Sequence, residues 1–327
     1  MRICIFGAGA VGGYLAGFLA RGGADVSVVA RGAHLAAIRA DGLRVETPDA
    51  VITVRVPASD DPADLGEQDA VIVTVKAPAL PDVAARIAPL LRHDTCVAFV
   101  MNGIPWWYFH RHGGPQDGRQ VARLDPGGAL WRTVGPHRVI GGIFWPACST
   151  PAPGVVRLLT GAARGTVFGE PDGATTPRIL ALADAFRVAY LPVTVAPDIR
   201  TLIWRKLVFN LSAGPICVLT ETPVSATHTE PALIDCSTRM VAEAQAVTRA
   251  MGIMLDLDMA EVIAINTHLQ HRPSILQDLQ AGRPMEIDAL YSVPLDMARM
   301  AGIATPTLDL MVAAIRVKAR ERGLYAG

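Results

Sequence analysis

The chain has 327 residues, 51% apolar and 18% charged, which suits two globular domains that can each bury a core. Thirty Lys and Arg balance thirty Asp and Glu, so no net field draws the protein to nucleic acid or to an anionic membrane. A small-molecule partner is the default expectation.

The opening residues, MRICIFGAGA, lack the layout of a signal peptide, and no window reaches the roughly 20 uninterrupted apolar residues of a membrane helix. A cytoplasmic location is expected. Cys4, Cys96, Cys148, Cys217 and Cys236 are scattered and free of C-x-x-C pairing, which reads as reduced, mostly buried thiols rather than a disulfide framework or zinc site.

In chain order, an apolar strand over 2–6 runs into a glycine turn, a helix over 10–21 closed by Gly22 and Gly23, and a strand over 25–30. The alternation continues with a short helix near 34–40, a β-rich stretch over 43–56, a strand over 70–75, a helix over 80–91 and a strand over 95–101. Strands that read as near-continuous apolar runs predict a parallel sheet covered on both faces. Residues 102–136 form a long excursion rich in glycine, proline and aromatics. Strands follow over 138–145, 155–159 and 166–168, then a helix over 177–189 and a strand over 192–195. Beyond Pro197 only helices are predicted, over 198–219, 231–251, 259–269, 273–281, 285–301 and 307–322, with Gly252, Gly302 and Gly323 placed as C-terminal caps. The domains are expected at 1–197 and 198–327.

Gly7, Gly9 and Gly12 stand on a G-x-G-x-x-G spacing between a strand and a helix, followed by a second strand. That context predicts a dinucleotide site. Gly7 permits the turn, Gly9 lets the backbone approach a pyrophosphate, and Gly12 brings helix and strand together. The loop Gly7, Ala8, Gly9, Ala10, Val11 and Gly12 then turns the free N–H groups of a helix start toward the phosphates. An acidic residue would be expected after the second strand for NAD, but the chain reads Val29-Ala30-Arg31, which favours NADPH/NADP+ through a guanidinium–phosphate pair. Lys76, at the end of the strand over 70–75, is a second candidate cation for the cofactor.

For chemistry, Lys206 and Asn210 lie at i and i+4 on one face of an otherwise apolar helix, where burial could tune the lysine as a proton donor. Glu286 and Ser274 sit at predicted helix starts, and Asn102 follows the strand over 95–101 at a carboxyl end where ligands collect. Each also has a plain structural role: Lys206 as a snorkelling lysine, Arg31 and Lys76 as solvated cations, Glu286 and Ser274 as helix-start groups, Asn102 as a turn residue. The eight histidines show no metal spacing beyond His110-x-His112, so no metal is expected. Trp106-Trp107-Tyr108-Phe109 reads as a packing plug or a pocket wall.

The segments GAGAVGG (7–13), TVKA (74–77), NG (102–103), WRKLVFN (204–210) and SILQDLQAGRPMEID (274–288) resemble the ketopantoate reductases, or 2-dehydropantoate 2-reductases, over nearly the whole chain. The resemblance implies an α/β fold: an N-terminal Rossmann dinucleotide-binding domain followed by an all-α domain like that of the 6-phosphogluconate dehydrogenase relatives. It implies NADPH-dependent reduction of 2-dehydropantoate to (R)-pantoate on the route to pantothenate and coenzyme A, and a homodimer formed through the helical domain. Lys206 looks like the general acid and Glu286 like the carboxylate that holds the substrate hydroxyl. Asn102, Asn210 and Ser274 look like substrate anchors, and Arg31 with Lys76 like the NADP-selecting pair.

Two departures bear on the substrate. Where the family often carries N-x-x-x-N-P, this chain has Asn210-Leu211-Ser212-Ala213-Gly214-Pro215, and the 104–136 excursion is longer than a minimal member needs. The same machinery acting on another 2-oxo acid or ketone is therefore the neighbouring reading. A non-catalytic NADP(H)-binding regulator is the reading of a different class.

Overall fold

The structure is a computed structural model describing residues 1–327. The chain divides into two compact units, Met1–Met101 with Pro105–Ile199, and Asn102–Ile104 with Arg200–Gly327.

In the first unit the strands are β1 (Arg2–Phe6), β2 (Asp25–Val29), β3 (Leu43–Glu46), β4 (Val51–Val54), β5 (Ala58–Ser59), β6 (Ala70–Val73), β7 (Cys96–Val100), β8 (Val139–Phe144), β9 (Ala147–Ala152), β10 (Val155–Thr160), β11 (Thr166–Gly169) and β12 (Val193–Val195). An eight-stranded sheet runs β12-β11-β8-β7-β6-β1-β2-β5. All its neighbours pair parallel except β8 with β11. The buried runs of β6, β7 and β8 match the sequence reading, because a sheet covered on both faces has no side that tolerates polar residues. Chain order reverses on either side of β1, with β2 on one flank and β6 on the other, and this puts a topological switch point at their carboxyl ends.

The helices of this unit are α1 (Ala10–Arg21), α2 (Gly32–Asp41), α3 (Leu80–Arg86), α4 (Ala129–Thr133) and α5 (Pro177–Val188). A smaller sheet, β4-β3-β10-β9, lies against α1. Added Cβ atoms at Gly13 and Gly17 would come within 2.6 Å of Val156 and 2.5 Å of Val45, so these glycines let the small sheet close on the helix. The helix expected over 80–91 ends at Arg86 and passes into a 3-10 turn at Ala88–Leu90, where Pro89 cannot continue the α-helical ladder. Strand β9, ACSTPA, was not expected; it is an exposed polar edge carrying a proline.

The aromatic excursion is core rather than pocket wall. Trp106, Trp107, Tyr108 and Phe109 are all buried, and Trp106 stacks edge-to-face on Phe99 and Trp131. The buried carboxylate of Asp125 accepts the N–H groups of Leu130 and Trp131 at 2.8 and 3.0 Å, which holds the first turn of α4.

The second unit is helical: α6 (Ile199–Thr220), α7 (Val224–Thr227), α8 (Pro231–Ala250), α9 (Met259–His268), α10 (Ser274–Gln280), α11 (Val293–Met300) and α12 (Pro306–Glu321). By length and composition α6 is apolar enough to cross a membrane, but most of its residues are buried inside the protein as those of a core helix. Its last carbonyls, Val218 and Leu219, accept hydrogen bonds from Lys318 Nζ at 2.8 and 3.2 Å. Glu243 of α8 accepts the N–H groups of Thr307 and Leu308 and so caps α12.

The helix expected over 285–301 is not uniform. Residues Asp288–Ser292 form a π turn before α11 begins. In that register Ala289 faces Pro294 five residues on, and a proline has no N–H to give its carbonyl. The Ala289 carbonyl instead accepts the N–H of Ile104 at 2.9 Å. A Cβ on Gly103 (φ +81) would lie 2.4 Å from that same oxygen, so this close approach needs glycine.

Candidate active site

The cofactor loop is built at the carboxyl end of β1. Gly7 takes φ +104, and its carbonyl accepts the Thr74 hydroxyl at 2.7 Å. A Cβ on Gly12 would fall 2.2 Å from the Gly7 oxygen and 2.4 Å from Thr74 Oγ1, so only glycine allows the helix to start this close to β1. Gly9 differs: nothing lies within 4 Å of where its Cβ would stand. No neighbour in the protein requires a glycine there, so the backbone is open on that side.

The N–H groups of Gly7 and Ala8 donate to the Val29 carbonyl at 3.0 and 3.1 Å, so these two residues shape the loop. The first turn of α1 is closed by Gly13 N–H to Gly9 carbonyl at 2.7 Å. The N–H groups of Ala10, Val11 and Gly12 precede that bond and are the donors available to an anion. Arg31 is exposed immediately after β2 as the N-cap of α2, and Lys76 is exposed after β6. Both therefore stand beyond carboxyl ends of strands flanking the switch point.

One residue of this loop escaped the sequence reading. His34 on α2 accepts the Gly154 N–H at its Nδ1 (3.0 Å), which leaves the proton on Nε2 to donate to the Ala8 carbonyl at 2.7 Å. It ties the glycine loop to the small sheet. A lone histidine carries no spacing signal for such a role.

The other predicted residues gather in the helical unit. Lys206 and Asn210 are both partly exposed on α6, among the buried Trp204, Leu207 and Val208, and Gly214 extends their stripe by one more turn. Burial pulls the Lys206 pKa down from 10.5 to about 8, and the nearby Glu286 carboxylate opposes that shift. Glu286 is itself only 4% exposed. Its segment is tied down by the C-terminal residues: Met285 N–H donates to the Leu324 carbonyl at 3.0 Å, and the Tyr325 hydroxyl donates to Asp288 at 2.7 Å.

Ser274 is the first residue of α10, and the capping position expected of it is taken by Pro273. The next residue, Ile275, reaches Gly214, with Cγ2 3.6 Å from where a Cβ on that glycine would lie. Asn102 is carried by the 102–104 segment that docks on Ala289. Lys206, Asn210, Ser274, Glu286 and Asn102 therefore belong to one unit. No three His, Cys, Asp or Glu side chains group in metal-binding fashion.

Tyr291 is the second residue that sequence reasoning missed. Its ring is fully buried, its hydroxyl has no hydrogen-bond partner among the protein atoms, and the oxygen would lie 2.3 Å from a Cβ on Gly214. Burial, with Cys217 and Glu286 nearby, drives its pKa upward, so it stays a neutral phenol.

A parallel sheet with a glycine loop at its switch point, on a chain whose helical unit carries a desolvated lysine beside a carboxylate, defines a dinucleotide-type oxidoreductase. The family described as ketopantoate reductase PanE/ApbA matches residues 3–108, and its C-terminal counterpart matches 198–319. The chain is 42% identical to the 2-dehydropantoate 2-reductase of Mesorhizobium japonicum over 330 aligned positions covering all of both proteins. A Ralstonia solanacearum MolK2 structure, solved as a candidate ketopantoate reductase, has 40% identity and a TM-score of 0.93 over 99% of each chain. The chain belongs to the ketopantoate reductase family. A D-mandelate dehydrogenase solved with NADH and anilino(oxo)acetate shares the fold, at 21% identity and a TM-score of 0.81 over 99% of this chain and 100% of that one.

Proposed function

We propose that the protein reduces 2-dehydropantoate to (R)-pantoate with NADPH, the reaction by which its 42% identical relative is named. The observation that carries this reading is Lys206, an amine held at a pKa of about 8 beside Glu286 on the helix stripe that also bears Asn210. A group with that pKa is largely protonated at neutral pH and gives up its proton readily, as a general acid requires.

When bound, NADPH supplies the hydride that reduces the keto carbon. Ala10, Val11 and Gly12 would offer N–H groups to its pyrophosphate, and Arg31 with Lys76 would hold the 2′-phosphate. Lys206 gives its proton to the carbonyl oxygen as charge develops there, and it is reprotonated from water. Glu286 accepts a hydrogen bond from the substrate's distal hydroxyl, while Asn102, Asn210 and Ser274 fix the rest of the acid.

The test is loss of NADPH absorbance when purified protein meets 2-dehydropantoate, run beside NADH and other 2-oxo acids. Fast NADPH-specific turnover with 2-dehydropantoate is expected. NADPH binding without turnover on any 2-oxo acid would overturn the catalytic reading. Gly214 with the Tyr291 hydroxyl against it favours one further reading, a relative acting on another 2-oxo acid or ketone, which the same panel resolves.

A further inference from the structure

The Tyr291 hydroxyl, like the Ser237 hydroxyl, is buried without a hydrogen-bond partner among the protein atoms. A phenol buried on every side normally finds a partner, because an unsatisfied buried hydroxyl is destabilising and phenylalanine would fill the same volume without that cost. Tyr291 has none, and its oxygen is directed at the bare backbone of Gly214 on the lysine stripe of α6. Gly214 is equally anomalous. Glycine within a helix is weaker than alanine, yet a methyl group here would stand 2.3 Å from the phenol oxygen. Each residue accounts for the other. The helix gives up a side chain at position 214, and a hydroxyl from the π turn occupies its place.

The π turn sets the direction of that hydroxyl. Glu286 lies five residues before Tyr291, just ahead of the π turn, and acts electrostatically on Tyr291 as it does on Lys206. A neutral phenol set against Gly214, on the helix stripe that also bears Lys206 and Asn210, is a hydrogen-bond donor at any physiological pH.

We propose that Tyr291 is a substrate-binding and specificity-determining residue, donating its O–H to an oxygen of the bound 2-oxo acid from the place that a side chain at position 214 would otherwise hold. The inference rests on the assignment of Lys206 and Glu286 as the reacting site.

The experiment compares wild type, Tyr291→Phe and Gly214→Ala with two substrates, 2-dehydropantoate and 3,3-dimethyl-2-oxobutanoate, which lacks the distal hydroxyl. Steady-state kinetics are paired with calorimetric titration of each acid into the NADP+-loaded enzyme. Tyr291→Phe should raise KM and Kd for 2-dehydropantoate about tenfold, the scale of one lost hydrogen bond. NADPH affinity should be unchanged, kcat should move less than KM, and Tm should be no lower than wild type. An equal loss on both acids places the contact at their shared 2-oxo acid end, and a loss confined to 2-dehydropantoate places it at the distal hydroxyl; either supports the proposal.

Unchanged KM and Kd in Tyr291→Phe overturn it while leaving the lysine assignment intact. Should Tyr291→Phe fail to fold, Gly214→Ala decides, since its methyl displaces the hydroxyl and must raise KM. In Gly214→Ala combined with Tyr291→Phe the new methyl would meet the ring carbon at 3.5 Å and Ile275 Cγ2 at 3.6 Å, both ordinary contacts, so that variant regains stability but not affinity. Wild type that neither binds nor turns over any 2-oxo acid overturns both this proposal and the reductase reading.

Discussion

Glu286 and burial act on Lys206 in opposite senses. The carboxylate favours the ammonium, desolvation disfavours it, and desolvation prevails, leaving the pKa at about 8. The direction of this imbalance is what the proposed general acid requires. A fully compensated ammonium would hold its proton more tightly, and an uncompensated one less tightly, than the pKa of about 8 allows.

The pH profile of reduction should carry this signature. Because the acid must start protonated, kcat/KM should be level below pH 8 and fall about tenfold per pH unit above it. Lys206→Ala should lower kcat by about 10²-fold or more and flatten that limb while NADPH binding is retained. Near-normal turnover in this variant would remove Lys206 from the reaction.

The same lysine affects stability with a definite sign. Its folded pKa lies below its unfolded one, so between about 8 and 10.5 the unfolded chain binds the extra proton and raising the pH favours the fold. The cost of the buried ammonium is fully present below pH 8. Wild type should therefore gain on Lys206→Met, by up to about 3 kcal/mol across that window, in paired denaturant titrations at pH 7.5 and 10.5. A pH-independent difference between the two proteins would contradict the shifted lysine.

Gly9 and Gly12 should separate binding from folding. Gly12→Ala forces a methyl into the Gly7 carbonyl and Thr74 hydroxyl, so both Tm and NADPH affinity should fall. Gly9→Ala meets nothing in the protein and should melt as wild type does, yet bind NADPH at least tenfold more weakly. Thermal melts with and without NADPH read both quantities.

Arg31→Glu should reverse the cofactor preference. A charge-assisted pair to the 2′-phosphate is worth about 1.5–3 kcal/mol, so kcat/KM with NADPH should fall 10- to 100-fold while that with NADH holds or rises. An equal loss with both cofactors would assign Arg31 a general role in the loop instead.

What the sequence made legible is local or periodic. The β1-turn-α1 unit follows from an apolar run, three spaced glycines and a 3.6-residue period, and the Lys206–Asn210 stripe from i, i+4 spacing. What stayed hidden depends on partners distant in the chain. Tyr291 reads as one more apolar residue of a helix, because the π turn that aims it is set by Pro294 and completed by Ile104. Gly214 is visible as a departure, but its cause lies on another element. His34 acts through two backbone groups, and β9 is held by its pairing with β10 rather than by its own propensity.

The hydrogen bond from Ile104 to the Ala289 carbonyl also limits how this chain can be divided. Three residues from the middle of the nucleotide-binding sequence are structural parts of the helical unit, so the polypeptide passes from one unit to the other three times, after 101, 104 and 199. A helical fragment cut at the last crossing would leave the Ala289 carbonyl, at the turn that orients Tyr291, without its donor. Gene fusion or recombination at that crossing would transmit the C-terminal helices without the donor that this turn uses.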